Sequence, residues 1–128
     1  MHVTEMITAA RSHIQNLTVD EVAAELDDPA VVLVDVREAG EIAAEGAIPG
    51  AVAAPRGMLE FHADATSPYH LAALDPQRRV ILYCKSGGRS ALAAATLATM
   101  GYRNVAHLDG GITAWTAARR PTSSPAAG

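Results

Sequence analysis

Residues 80–97 read VILYCKSGGRSALAAATL. An aliphatic and aromatic run, 80–83, stops at the chain's only cysteine, Cys84. Lys85, Ser86, Gly87, Gly88 and Arg89 follow, and then an alanine-rich stretch. The run is short, continuous and apolar, which suits a strand buried on both faces. Ser90 is read as the cap of a helix over 91–100, apolar nearly all round and therefore buried, with Gly101 as its stop. A strand, a tight glycine loop and a helix in this order make a unit of a parallel α/β sheet.

The alternation continues on both sides. In LTVDEVAAEL, Thr18 and Glu21 form a capping box, because the hydroxyl can take the third helical amide while the carboxylate reaches back to the cap. A helix over 19–26 follows. AVVLVDV is a second continuous apolar run, bounded by Pro29 and by Arg37 and Glu38, and reads as another buried strand. REAGEIAAEGAIPGAVAAP gives a short helix, a stop at Gly46, a turn at Pro49 and Gly50 and a brief strand over 51–53. The segment 56–74 is irregular, a long functional loop or a pair of short helices, with a helical turn over 57–62. NVAHL supplies a strand and DGGITAWTAA a last helix, with Trp115 packing it on the sheet. The expected fold is a single α/β domain with a central parallel sheet and helices on both faces.

At 128 residues the chain suits one domain, which at this size buries roughly two thirds of its unfolded surface. Charged residues at 19% and apolar ones at 49% fit a globular protein. A net charge of −4 argues against a broad nucleic-acid or anionic-membrane surface, which needs clustered Lys and Arg. One cysteine excludes an internal disulfide and the Cys-x-x-Cys pairs of zinc and thioredoxin-like sites. No metal site and no cofactor are expected. No stretch reads as a signal peptide or a membrane span, so a reducing, cytoplasmic home is expected.

In a parallel α/β sheet, ligands bind beyond the carboxyl ends of the strands, and Cys84 falls there. Paired glycines let the loop curl so that several amides point inward, and the amino terminus of the following helix adds to the field. With Lys85 and Arg89 supplying full charges, these groups favour thiolate over thiol. Such a cradle stabilises a bound anion, and any negative charge passed to a group attached to Cys84. The bland alternative, cysteine as buried filler, explains neither the glycines nor the flanking cations.

With these residues in view, the sequence resembles the rhodanese family of sulfurtransferases in its single-domain form. VVLVDVRE is similar to the family's first core strand with its Asp-x-Arg end, and EGAIPGAVAAP to its Gly-His-Ile-Pro-Gly-Ala segment. YCKSGGRS resembles the active-site loop, and GYRNVAHLDGGITAW the closing strand and Gly-Gly-x-x-x-Trp helix. The match divides the chain into a helical extension over 1–16, a rhodanese-like domain over 17–121 and a flexible tail over 122–128. It implies sulfur transfer in two half-reactions. Cys84 takes the outer sulfur of a small anionic donor such as thiosulfate, and a thiophilic acceptor, cyanide or a cellular thiol that could belong to a protein, removes it. Lys85, Ser86, Gly87, Gly88, Arg89 and Ser90 would bind substrate. Two departures stand out. Ala47 replaces a common histidine, and Lys85 a common arginine, keeping the charge without the planar fork, so weaker oxyanion binding is expected.

Other readings compete. Phosphatase or arsenate reductase chemistry uses a similar cradle, but its loop is one residue longer than the four that separate Cys84 from Arg89. A non-catalytic binding or sulfur-carrier module is a different class. A Cys-His acyl-transfer site would need one of five histidines, which read first as surface or packing residues: His2 and His13 lie in the weak amino-terminal segment, His107 in a strand, His62 and His70 in the irregular loop. Asp35 and Arg37 either hold the first strand end to its loop or form a simple polar stop. Arg56 reads as a solvated loop arginine, with a swing over the pocket as the second possibility.

Overall fold

The computed structural model describes residues 1–123. Its elements are α1 (Val3–Arg11), β1 (Gln15–Leu17), α2 (Val19–Glu25), β2 (Val32–Asp35), α3 (Ala39–Glu45), β3 (Val52–Ala53), a 3₁₀ turn (Arg56–Met58), α4 (Leu59–Ala63), β4 (Val80–Tyr83), α5 (Gly88–Thr99), β5 (Val105–Leu108) and α6 (Gly111–Ala117). The five strands form one sheet in the order β1-β5-β4-β2-β3, every pairing parallel. All four residues of β2, of β4 and of β5 are buried, including Asp35 and His107, as expected of strands covered by helices on both faces.

Alternation of side chains splits the core in two. Val32, Val34, Val80 and Leu82 pack with Leu59 of α4 and Ala93, Ala94 and Leu97 of α5. Leu33, Ile81, Tyr83, Ala106 and Leu108 pack with Val22 of α2 and Ile112 and Trp115 of α6 on the other face. The Thr18 capping box forms in both directions, Glu21 N–H donating to Thr18 Oγ1 at 3.2 Å and Thr18 N–H to Glu21 Oε1 at 3.0 Å.

Residues 1–16 do more than extend the fold. They supply α1, which lies on α5, and the first two residues of β1, an edge strand paired with β5. A three-residue strand carries too little periodicity to be read from sequence. The segment 56–74 contains the 3₁₀ turn and α4, the pair of short elements that was one of its two readings. His62 Nδ1 meets Tyr69 O at 2.8 Å and His70 Nε2 meets Leu74 O at 2.9 Å, so both histidines hold this segment's own backbone. Of the tail expected over 122–128, Ser123 is hydrogen-bonded to both backbone groups of Ala47, and residues 124–128 lie outside the described residues.

One close approach fixes the loop that follows β4. Ile112 N–H donates to Cys84 O at 2.9 Å and Thr113 N–H to Lys85 O at 3.0 Å, so the start of α6 buttresses the turn after β4. Gly111 sits at φ 59°, and a Cβ there would overlap the carbonyl oxygens of Cys84 and Lys85. Gly111→Ala is therefore expected to cost roughly 3 kcal/mol, from backbone strain and forced displacement of the loop. Urea unfolding reads this directly, and a loss below about 1 kcal/mol would show that the contact yields freely.

Candidate active site

Chain order and strand order reverse between β2 and β4, and the crevice beyond their carboxyl ends is where loops from the two strands diverge. Cys84 stands at that point with 1% of its surface exposed. Its Sγ accepts the N–H of Gly87 at 3.2 Å and that of Ser90 at 3.4 Å. The amides turn inward because Gly87 adopts φ 111°, a left-handed conformation open to glycine at little cost. A side chain at Gly87 would also press on Gly110 N at 3.2 Å.

The structure corrects the reading of Ser90 as the helix cap. Gly87 is the cap residue and α5 begins at Gly88, which places Ser90 in the first turn with no exposed surface. Its hydroxyl is engaged elsewhere: Ser90 Oγ lies 2.8 Å from His107 Nδ1 and 3.3 Å from Gly87 O, and the Cys84 thiol donates to it at 3.6 Å. His107, read from sequence as an ordinary strand residue, is fully buried and aligned with Leu82 of β4, on the face that also carries Cys84. The signal was present in NVAHL, because strict alternation puts His107 opposite to Ala106 and Leu108.

Lys85 and Ser86 are exposed, and the two cations of the loop meet carboxylates of α3. Arg89 makes a two-pronged pair with Glu41 at 2.6 and 3.0 Å, and Lys85 Nζ lies 3.3 Å from Glu45. Among the described residues, neither side chain donates to Sγ. The hydrogen bond from Arg89 holds the Glu41 carboxyl down at about 2, against burial that pushes it up, with the Glu38 backbone and the charges of Arg89 and Arg37 adding to the lowering. A depressed carboxyl pKa contributes stability that is complete above its ordinary 4.5 and is lost as pH falls through about 2. With the two side chains 40% and 28% exposed, solvent screening reduces the contribution to about 1 kcal/mol. The stability advantage of wild type over Glu41→Gln is expected to be constant above pH 5 and to shrink toward pH 2. An advantage independent of pH would remove the pair as its cause.

Asp35 and Arg37 resolve in favour of the structural role. Arg37 Nε donates to Asp35 Oδ1 at 3.0 Å, and Nη2 donates to Asp35 Oδ2 at 2.7 Å and to Gly46 O at 2.8 Å, tying the end of β2 to the end of α3. The guanidinium lies 5.6 Å from the Tyr83 ring centroid, and the Tyr83 hydroxyl accepts Ile48 N–H at 3.0 Å. Arg56 is not brought to Cys84. It binds Glu60 at 2.9 Å and Thr96 at 3.2 Å beside the seam of α1 and α5.

The model of the rhodanese-like domain matches residues 18–118. The chain belongs to the rhodanese family. A sulfurtransferase from Allochromatium vinosum is 37% identical over 99 residues, 77% of this chain and 84% of that protein. A rhodanese-like/PpiC domain-containing protein from Arabidopsis thaliana is 30% identical, and the match spans only 38% of its length. Among solved structures, a Rhodopseudomonas palustris protein of unknown function, described as a possible tyrosine phosphatase, is 39% identical with a TM-score of 0.91 over 96% of this chain and 95% of its own. Thiosulfate sulfurtransferase from Pseudomonas aeruginosa is 30% identical, with a TM-score of 0.76 over 94% of this chain and 22% of its own. This kinship assigns the rhodanese-like domain to sulfurtransferase chemistry in general. No helix among the described residues is long and apolar enough to cross a membrane.

Proposed function

We propose that the protein takes sulfane sulfur from thiosulfate or a similar small anionic donor, holds it as a persulfide on Cys84, and passes it to a thiophilic acceptor, a thiol in a reducing compartment or cyanide in vitro. The observation that carries this reading is the pair of amides from Gly87 and Ser90 aimed at Sγ at 3.2 and 3.4 Å. Cys84 thiolate attacks the outer sulfur of thiosulfate, the sulfur–sulfur bond to sulfite breaks, and sulfite leaves with the bonding pair. The terminal persulfide sulfur then carries the negative charge, which the amides of the loop from Lys85 to Arg89 would hold.

The likeness to a described possible phosphatase does not move the proposal in that direction. A tetrahedral phosphate needs a wider loop with its arginine free to close over it, whereas four residues separate Cys84 from Arg89 and Arg89 is held by Glu41. The discriminating experiment compares turnover of thiosulfate, mercaptopyruvate and an aryl phosphate. The expected order puts thiosulfate first, with no Cys84-dependent phosphate release. Faster mercaptopyruvate turnover would reject the donor, and Cys84-dependent phosphate release would reject the reaction class.

The acidic face of α3 adds a consequence. Glu41 and Glu45 offset the charges that would attract a dianion, so Glu41→Gln should raise kcat/KM for thiosulfate roughly threefold to fivefold, about 1 kcal/mol of recovered attraction. The gain should fade at high salt. A loss of activity instead would mean that Glu41 holds Arg89 where the reaction needs it.

A further inference from the structure

We propose that Ser90 and His107 form an internal proton relay that ionises Cys84, with His107 as the positioning residue and temporary proton acceptor for the sulfur-transfer reaction proposed above. Asn16 Nδ2 donates to Arg11 O at 3.0 Å and Ile14 O at 3.3 Å, which commits its amide protons and turns Oδ1 toward His107 Nε2 at 2.8 Å. Oδ1 can only accept, so Nε2 carries the imidazole proton and Nδ1 presents a lone pair. Ser90 Oγ has two acceptors in reach, Nδ1 at 2.8 Å and Gly87 O at 3.3 Å, so its single proton goes to the nearer Nδ1, and its lone pairs accept the Cys84 thiol at 3.6 Å. Every group in the series Cys84, Ser90, His107, Asn16 has its donor and acceptor direction fixed, and the series points from sulfur to imidazole.

The transfer balances without a further reagent. The S–H bond of Cys84 breaks and its proton forms a new O–H at Ser90, while the original Ser90 proton moves to His107 Nδ1. Serine ends unchanged with its hydroxyl now donating to the thiolate, joining the amides of Gly87 and Ser90. Thiolate and imidazolium stay within one hydroxyl of each other, so a dipole and not a net charge is created in the buried site. When the sulfur has been handed on and the thiolate returns, the proton retraces the path.

The groups around the ring suit this exchange. Burial lowers the His107 pKa, the Asp109 carboxylate raises it and the Arg11 guanidinium lowers it, a net shift that favours the neutral ring, so the relayed proton depends on the thiolate one hydroxyl away to stabilise it. Asp109 follows β5 and Arg11 comes from α1, and the two are paired at 2.7 and 2.8 Å, which largely cancels their opposing effects on the ring. Ser90 of α5 and Asn16 of β1 hydrogen-bond to the ring directly, and Cys84, just beyond the end of β4, is reached through Ser90.

The test is the pH dependence of iodoacetamide alkylation of Cys84, the only thiol, in full-length wild type, His107→Asn, Ser90→Ala and the double variant. Asparagine keeps a polar partner for Ser90 but cannot take a proton. Both single variants are expected to alkylate roughly tenfold or more slowly at pH 7 and to converge with wild type at high pH, where hydroxide removes the thiol proton. The double variant should be no slower than either single one, because a broken relay cannot be broken twice. Superimposable pH profiles, or losses that multiply in the double variant, would overturn the relay. If His107→Asn fails to fold, Ser90→Ala carries the same prediction alone, since alanine suits the first turn of α5. Sulfur loading from thiosulfate, measured on the same samples, separates the two readings. Loading with unshifted alkylation profiles rejects the relay and keeps the proposed function, whereas shifted profiles without loading in wild type keep the relay and reject the donor.

Discussion

Cys84→Ser is expected to eliminate sulfur transfer, a loss of roughly a thousandfold or more in the formation of thiocyanate from thiosulfate and cyanide. Serine is nearly isosteric, and its oxygen can accept the same two amides that reach Sγ at 3.2 and 3.4 Å, so the fold should survive within about 1 kcal/mol. What disappears is the ability to form a sulfur–sulfur bond. The comparison thus isolates chemistry from packing. A buried-filler cysteine would give the opposite pattern, with an altered midpoint of unfolding and no change in rate. Appreciable transfer by the variant would place the reacting group elsewhere.

The largest expected effect on stability belongs to Arg37. Its guanidinium has no exposed surface and carries the Asp35 carboxylate, itself 1% exposed, on two hydrogen bonds while also holding Gly46 O. One nitrogen, Nη1, has no hydrogen-bond partner among the described residues and faces Glu45 at 3.8 Å. Arg37→Met leaves the Asp35 charge buried without its partner and frees the end of α3, for an expected loss of about 3 to 5 kcal/mol in urea unfolding. Adding Asp35→Asn removes that orphaned charge, so the double variant should recover part of the loss. A single-variant loss below about 1 kcal/mol, or no recovery in the double variant, would mean that the pair is not what joins β2 to α3. Because α3 also carries Glu41 and Glu45, Arg37 acts on the loop cations at one remove.

The sequence made the sheet largely legible. Continuous apolar runs marked β2 and β4 because strands buried on both faces lose their alternation, and Thr18 with Glu21 marked the start of α2 through a local chemical device. The misses share a cause, which is that tertiary contacts decided them. β1 is three residues long and exists because β5 offers it a partner. Ser90 has the residue type of a cap, yet its hydroxyl is spent on His107, and a left-handed glycine takes the cap position instead. The cations of the loop were visible as charges, whereas their pairing with α3 required knowing which helix lies beside the loop. Asp35 and Arg37 could be named but not assigned, since a salt bridge two residues apart draws its importance from burial and from Gly46.

The central claim, that amides turned inward behind β4 allow Cys84 to carry transferable sulfur, is tested most directly by weighing the intact protein after incubation with thiosulfate. The account predicts that wild type gains the mass of one sulfur atom, that Cys84→Ser gains none, and that cyanide or a thiol removes the added mass. Unchanged mass in wild type, or a gain that persists in Cys84→Ser, would contradict it.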